Sequence, residues 1–126
     1  MKGVVLAVLL TGFTLAQAPL VGTTWQLEAI QGMDDSLLTI QTPERYTLTL
    51  GQDGRAGFRL DCNRGTASYE LDGASLSFGP IASTRALCPP ESQEGRYLRE
   101  LEQVVSFVPE DGKLYLATRA DGAILE

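Results

Sequence analysis

Four Asp-Gly dipeptides, at 53–54, 72–73, 111–112 and 121–122, fall between short runs of alternating apolar and polar residues. Glycine enters the φ > 0 region without steric cost and aspartate tolerates it, so each dipeptide reads as a tight hairpin turn. A chain that reverses so often is committed to antiparallel strands. The runs have the two-residue period of half-buried strands. In TTWQLEAI, Trp25, Leu27 and Ala29 alternate with Thr24, Gln26 and Glu28. In RYTLTL, Tyr46, Leu48 and Leu50 alternate with Thr47 and Thr49. RAGFRL keeps Phe58 and Leu60 in phase, TASYEL keeps Ala67, Tyr69 and Leu71, and ASLSF keeps Leu76 and Phe78. VVSFV, KLYLAT and AILE complete the series. The acidic turns lack the spaced ligands and closing glutamate of a calcium loop, so they read as turns alone.

One segment breaks the pattern. In PPESQEGRYLRELEQVVSF, Tyr97, Leu98, Leu101, Val104 and Val105 recur at the spacing of one helical face. Pro90 suits a first helical turn, and Glu91 and Glu94 complement the positive end of the helix dipole. The expected fold is therefore α+β: a mostly antiparallel sheet or open barrel with one amphipathic helix packed against it.

The opening MKGVVLAVLLTGFTLAQA has a basic start at Lys2, an aliphatic run from Val4 to Leu10, and small residues at Ala16 and Ala18. That layout predicts a secretory signal peptide over 1–16, or alternatively 1–18, leaving one domain over 17–126. Cleavage after Ala16 is preferred, because cleavage after Ala18 would leave Pro19 at the new terminus. The protein is expected to be periplasmic or secreted, with no membrane span once the leader is gone. The chain carries 10 basic and 16 acidic residues, a formal charge of −6. Such a surface repels nucleic acid phosphates and anionic lipid headgroups, so neither is an expected partner.

Reactive chemistry is sparse. The 126 residues include no histidine and two cysteines, which removes the commonest general base and any Ser-His or Cys-His pair. Two cysteines alone make a poor zinc site. No phosphate loop, dinucleotide-binding glycine pattern or GxSxG elbow is present. Asp34-Asp35 and Glu110-Asp111 read as loop surface rather than acid/base pairs. The chain is expected to be neither an enzyme nor a metal or cofactor binder. In an exported domain an even cysteine count favours a disulfide between Cys62, in FRLDCNRG, and Cys88, in STRALCPP. Two buried thiols, or one reactive or intermolecular cysteine, are the alternatives. Gly22 comes three residues before Trp25 in VGTTW, a pattern similar to the opening of lipocalin-type barrels, and Trp25 reads as a core aromatic closing one end of the sheet.

In order, these features are a Gly-x-x-Trp strand, C-N-R-G, a hairpin, T-R-x-x-C, a helix and closing strands. This arrangement resembles the META domain family of HslJ-like envelope proteins over essentially the whole mature chain. The resemblance marks Trp25, Cys62, Asn63, Gly65, Thr84 and Cys88. It implies a cracked barrel similar to a small secretion pilotin, no established catalysis, and roles in envelope stress, drug tolerance or motility. Some members are lipoproteins, but no lipid-accepting cysteine lies near the cleavage site here. Asn63, which tolerates left-handed geometry, would end a strand and redirect the chain, and Thr84 would tie STRALC to a neighbour. The leading expectation is a monomeric exported protein that works through an envelope protein or a small apolar ligand. A pilotin-like or lipocalin-like lipid carrier is the runner-up. A small secreted enzyme or inhibitor is a distant third.

Overall fold

A computed structural model describes residues 19–119 and 123–126. Residues 1–18, over which a signal peptide is expected, and the Asp-Gly pair at 121–122 lie outside these residues. The alternating runs form β1 (Thr24–Gln26), β2 (Ala29–Gly32), β3 (Leu37–Thr39), β4 (Tyr46–Leu50), β5 (Arg55–Leu60) and β6 (Asn63–Asp72). They continue as β7 (Ser75–Phe78), β8 (Ala82–Ser83), β9 (Val104–Glu110), β10 (Lys113–Thr118) and β11 (Ala123–Leu125). Among the described residues they build one curled sheet in the order β1-β4-β5-β6-β7-β9-β10-β11-β2-β3, with β8 on the edge of β6. Every strand pairing is antiparallel. The result is an α+β open half-barrel.

The concave face holds the core. Leu27, Ile30, Leu48, Leu50, Phe58, Leu60, Leu76, Leu116 and Leu125 are all buried there. The period-2 pattern selects this face, because successive strand side chains point to opposite sides. Local turn chemistry supplies the reversals. Asp111 and Gly112 both take positive φ (54° and 78°) between the paired Glu110 and Lys113, the geometry that matches strand twist. At 72–73 the turn slips by one residue. Asp72 pairs with Ser75, so Gly73 (φ 60°) and Ala74 form the tip.

TTWQLEAI does not remain one strand. The Glu126 carbonyl accepts N–H groups from both Glu28 (2.7 Å) and Ala29 (3.3 Å), two residues opposite one, which is a β-bulge. Ahead of the bulge, Leu27 donates to the Tyr46 carbonyl at 2.9 Å. One segment thus pairs with β4 at its start and with β11 at its end.

The helix α1 spans Glu94–Leu101, eight residues, shorter than its sequence pattern. Val104 and Val105 belong to β9, where Val104 pairs with Thr118. The β-branched and aromatic run VVSFV suits a sheet surface, and tertiary pairing overrides the helical period. Pro90 falls ahead of the helix rather than in its first turn. The Ser92 hydroxyl receives the Glu94 N–H at 3.1 Å. Tyr97 and Leu101 point into the core. The Tyr97 hydroxyl donates to the Thr47 carbonyl at 3.0 Å, and its ring meets Tyr46 edge-on at 6.1 Å. Burial raises the Tyr97 phenol well above the usual tyrosine range, so it remains a donor.

Two substitutions separate helix packing from helix anchoring. Leu101→Ala removes a fully buried side chain and should cost about 2–5 kcal/mol in urea unfolding. Tyr97→Phe keeps the ring but removes the hydroxyl bond to the Thr47 carbonyl, and should cost about 0.5–1.5 kcal/mol.

Candidate functional site

The cysteine motif folds into a corner. FRLDCNRG is a hairpin rather than a single run. Leu60 pairs with Asn63, and Asp61-Cys62 is the turn. Asn63 opens β6, and the left-handed residue is Asp61 (φ 59°). Asp61 is held there by the Arg45 guanidinium, 2.8 Å from its carboxylate, and by its own N–H to the Arg45 carbonyl at 2.7 Å. Cys62 at the tip is bonded to Cys88, with a Cα separation of 5.6 Å, inside the ordinary range for a bridge.

Asn63 is 1% exposed and carries the corner. Its Oδ1 accepts the Thr84 hydroxyl at 2.8 Å and the Ala86 N–H at 2.7 Å. Its Nδ2 donates to the Ala86 carbonyl at 3.0 Å and lies 3.5 Å from Cys88 Sγ. The carboxamide grips both main-chain groups of Ala86, as a neighbouring strand would. Thr84 closes the set: its Oγ1 accepts the Arg64 N–H at 3.0 Å. Gly65 lies two residues further along β6, on the same face. A Cβ there would come within 3.2–3.3 Å of Leu60, Ile81 and the Ala82 carbonyl, tighter than side-chain atoms normally approach. Cys62, Asn63, Gly65, Thr84 and Cys88 therefore form one structural corner. The expected acid pairs lie in turns: Asp34 accepts the Ser36 N–H at 3.1 Å, and Asp111 sits at a hairpin tip. Hydrogen bonds from Ser36, side chain first and then backbone, keep the exposed Asp34 carboxyl below its usual range.

Trp25 belongs to a different place. An open space lies between β1 and β10, with the helix residue Tyr97 in its lining. It is a cleft of about 340 Å³. Trp25, Leu48, Tyr97, Leu114 and Leu116 line its interior. Trp25 is half-buried, and its indole N–H donates to the Leu20 carbonyl at 3.3 Å. Across the mouth, Lys113 Nζ reaches Glu126 at 2.7 Å and Glu28 at 3.0 Å. Hydrogen bonds to Glu126 and then Glu28 raise the Lys113 ammonium above the ordinary lysine value. The chemistry on offer is apolar contact, one indole and a charged latch. Among the described residues no group of three or more acidic or cysteine side chains is placed to hold a metal ion. Sequence reading missed Lys113, Glu28 and Glu126, because two of them look like solvated strand positions and the third follows the last strand.

A family model for the META domain matches residues 18–126. The chain belongs to the META domain family. Among solved structures, this META chain is similar to a protein from Burkholderia xenovorans at 30% identity and TM-score 0.68, over 84% of this chain and 80% of that one. It also resembles a DUF4847 family protein from Bacteroides vulgatus, at 12% identity and TM-score 0.60, over 84% and 91% of the two chains. The second likeness is one of fold alone. No curated protein matches the chain.

Three variants and one control test the META corner. Asn63→Ala leaves the Ala86 N–H and carbonyl without their partner and should cost about 2–4 kcal/mol by urea unfolding. The paired change Cys62→Ser with Cys88→Ser should cost about 2–4 kcal/mol. Because Asn63 touches Cys88, combining the two should deviate from additivity by more than about 0.5 kcal/mol. Gly65→Ala should cost about 1–3 kcal/mol, whereas Gly57→Ala, with no atom within 4 Å of its new Cβ, should be neutral.

Proposed function

We propose that this META protein is an exported, non-enzymatic binding domain of the cell envelope, which acts in envelope homeostasis or stress tolerance by holding a ligand in the Trp25 cleft. The observation that carries this reading is the cleft itself. It combines apolar side chains (Trp25, Leu48, Leu114, Leu116) with a few polar groups from Thr24, Gln26, Glu28, Lys113 and Glu126, the usual build of a ligand site. Export is supported by the leader-like N-terminus and by the Cys62–Cys88 bond, since disulfides persist in oxidising compartments. The absence of histidine from the chain argues against catalysis. A monomer suffices, because the cleft is built from one chain. A lipid-tail carrier is the second reading, favoured by the leucines and indole lining the cleft.

Fractionation with N-terminal sequencing should find mature protein outside the cytoplasm, starting at Gln17 or Pro19. An intact Met1 in the cytosol would end the export argument. Chelation should leave Tm unchanged. Trp25→Ala, which strips the half-buried indole from the cleft wall, should abolish rescue of a stress-sensitive deletion strain while the protein still unfolds cooperatively. Full rescue by that variant would overturn the ligand-site reading.

A further inference from the structure

The cleft lies between two strand edges, and the hydrogen-bonding direction of each edge can be worked out. Among the described residues β1 is the last strand on its side of the sheet and pairs only with β4. Leu27 donates to the Tyr46 carbonyl, and Trp25 stands opposite Leu48 in the same register. Main-chain groups alternate sides along an antiparallel strand. Trp25 and Leu27 therefore direct theirs toward β4, while Thr24 and Gln26 direct theirs into the cleft. On the other wall, Glu110 and Lys113 close a two-residue hairpin, so Lys113 and Tyr115 face β9. Leu114 and Leu116 face away from it. β11 takes up Leu116, opposite Leu125, but its pairing covers only Leu116 and Ala117. The N–H and carbonyl of Leu114 are thus left facing the cleft.

Chain direction fits as well. β1 and β10 are separated by six antiparallel steps in the sheet, so they run parallel to each other. β11 runs opposite to both. It is bonded to β10 on one side and to the β2 segment on the other, ending with Glu126 against Ala29. The cleft continues this lane. Its walls are the continuations of the two strands that already flank β11.

We infer that the cleft takes an extended polypeptide segment from a partner protein, which enters as a strand between β1 and β10, antiparallel to both. This inference rests on the cleft being the ligand site and names its ligand class. Main-chain bonds to Thr24 and Gln26 on one wall and Leu114 on the other supply binding that is independent of sequence, as in other strand-addition complexes. Side chains of the incoming strand alternate. Those pointing inward meet Trp25, Leu48, Leu114 and Tyr97 and must be apolar. Those pointing outward pass Lys113, Glu28 and Glu126, a trio with a formal charge of −1, and are neutral-polar or basic. The Lys113 latch spans the lane mouth and swings aside as the strand enters.

The test uses a blocked heptapeptide alternating valine and threonine with one terminal lysine, titrated into the full mature protein while Trp25 emission is followed. In a strand flanked on both sides, the valine N–H groups face one wall and the threonine N–H groups the other. Two further peptides carry N-methyl groups on all valines or on all threonines, and decanoate serves as an alkyl-chain probe. The parent peptide should bind saturably and slow hydrogen exchange at Thr24, Gln26 and Leu114. Each methylated peptide should bind at least tenfold more weakly. Because the probe is varied and not the protein, misfolding cannot imitate the result. If either methylated peptide binds as well as the parent, strand insertion is overturned. If decanoate saturates the Trp25 signal and the peptide does not, the peptide inference fails while the cleft remains a ligand site. If neither probe alters Trp25, both fail.

Discussion

The corner depends on one side chain. Asn63 offers a peptide-like group at a place where the strand register has run out, and Ala86 accepts it as if it were a neighbour in the sheet. Without it, the Ala86 N–H and carbonyl would lose the partner that continues the pairing past the Thr84–Arg64 bond, and the disulfide would tie a hairpin tip to a looser loop. A buried amide of this kind stabilises only when all its bonds are made. All of them are made here, and no buried side-chain polar atom among the described residues lacks a partner. The disulfide and the amide are two fastenings of one joint. The covalent one restricts the unfolded chain, and the polar one fixes the orientation of the folded one.

The opposite side of the molecule follows from the bulge at Glu28-Ala29. A regular strand through this segment would stay beside one neighbour along its length. The extra residue lets the segment leave β11 and join β4, bending as bulged strands do. The fork between those two partners is the cleft. An edge left open in this way would invite unwanted pairing. Short β1, the charged latch of Lys113 with Glu28 and Glu126, and the bend itself limit that access to a few residues.

How much of this could be read from sequence depended on whether a signal was local. Asp111-Gly112 announces its own turn, because both residues take φ > 0 in a geometry that Asp-Gly favours. The concave face was equally legible within single strands, as at Leu48 and Leu50 or Phe58 and Leu60, but not across the Glu28-Ala29 bulge, after which Ile30 is buried beside Ala29. The Asp61-Cys62 turn was not, because its left-handed residue is stabilised by Arg45, sixteen positions away. The helix was overextended because Val104 and Val105 keep the helical period, and only their pairing with β10 removes them from it. The corner residues could be marked by family likeness, but their bonds could not. The cleft had no signature, because it is made by where two strands part.

The double pairing of residues 24–32 also orders events in time. This segment must bond to β4 early in the sequence and to residues 123–126 at its far side, so the sheet cannot close until those residues have been synthesised. Contacts this distant along the chain carry a large loop-closure cost and form late. A nascent chain therefore leaves the ribosome with its hairpins able to form and its barrel still open. The arrival of the last residues, rather than the formation of any one hairpin, is then what lets residues 24–32 make their second set of bonds.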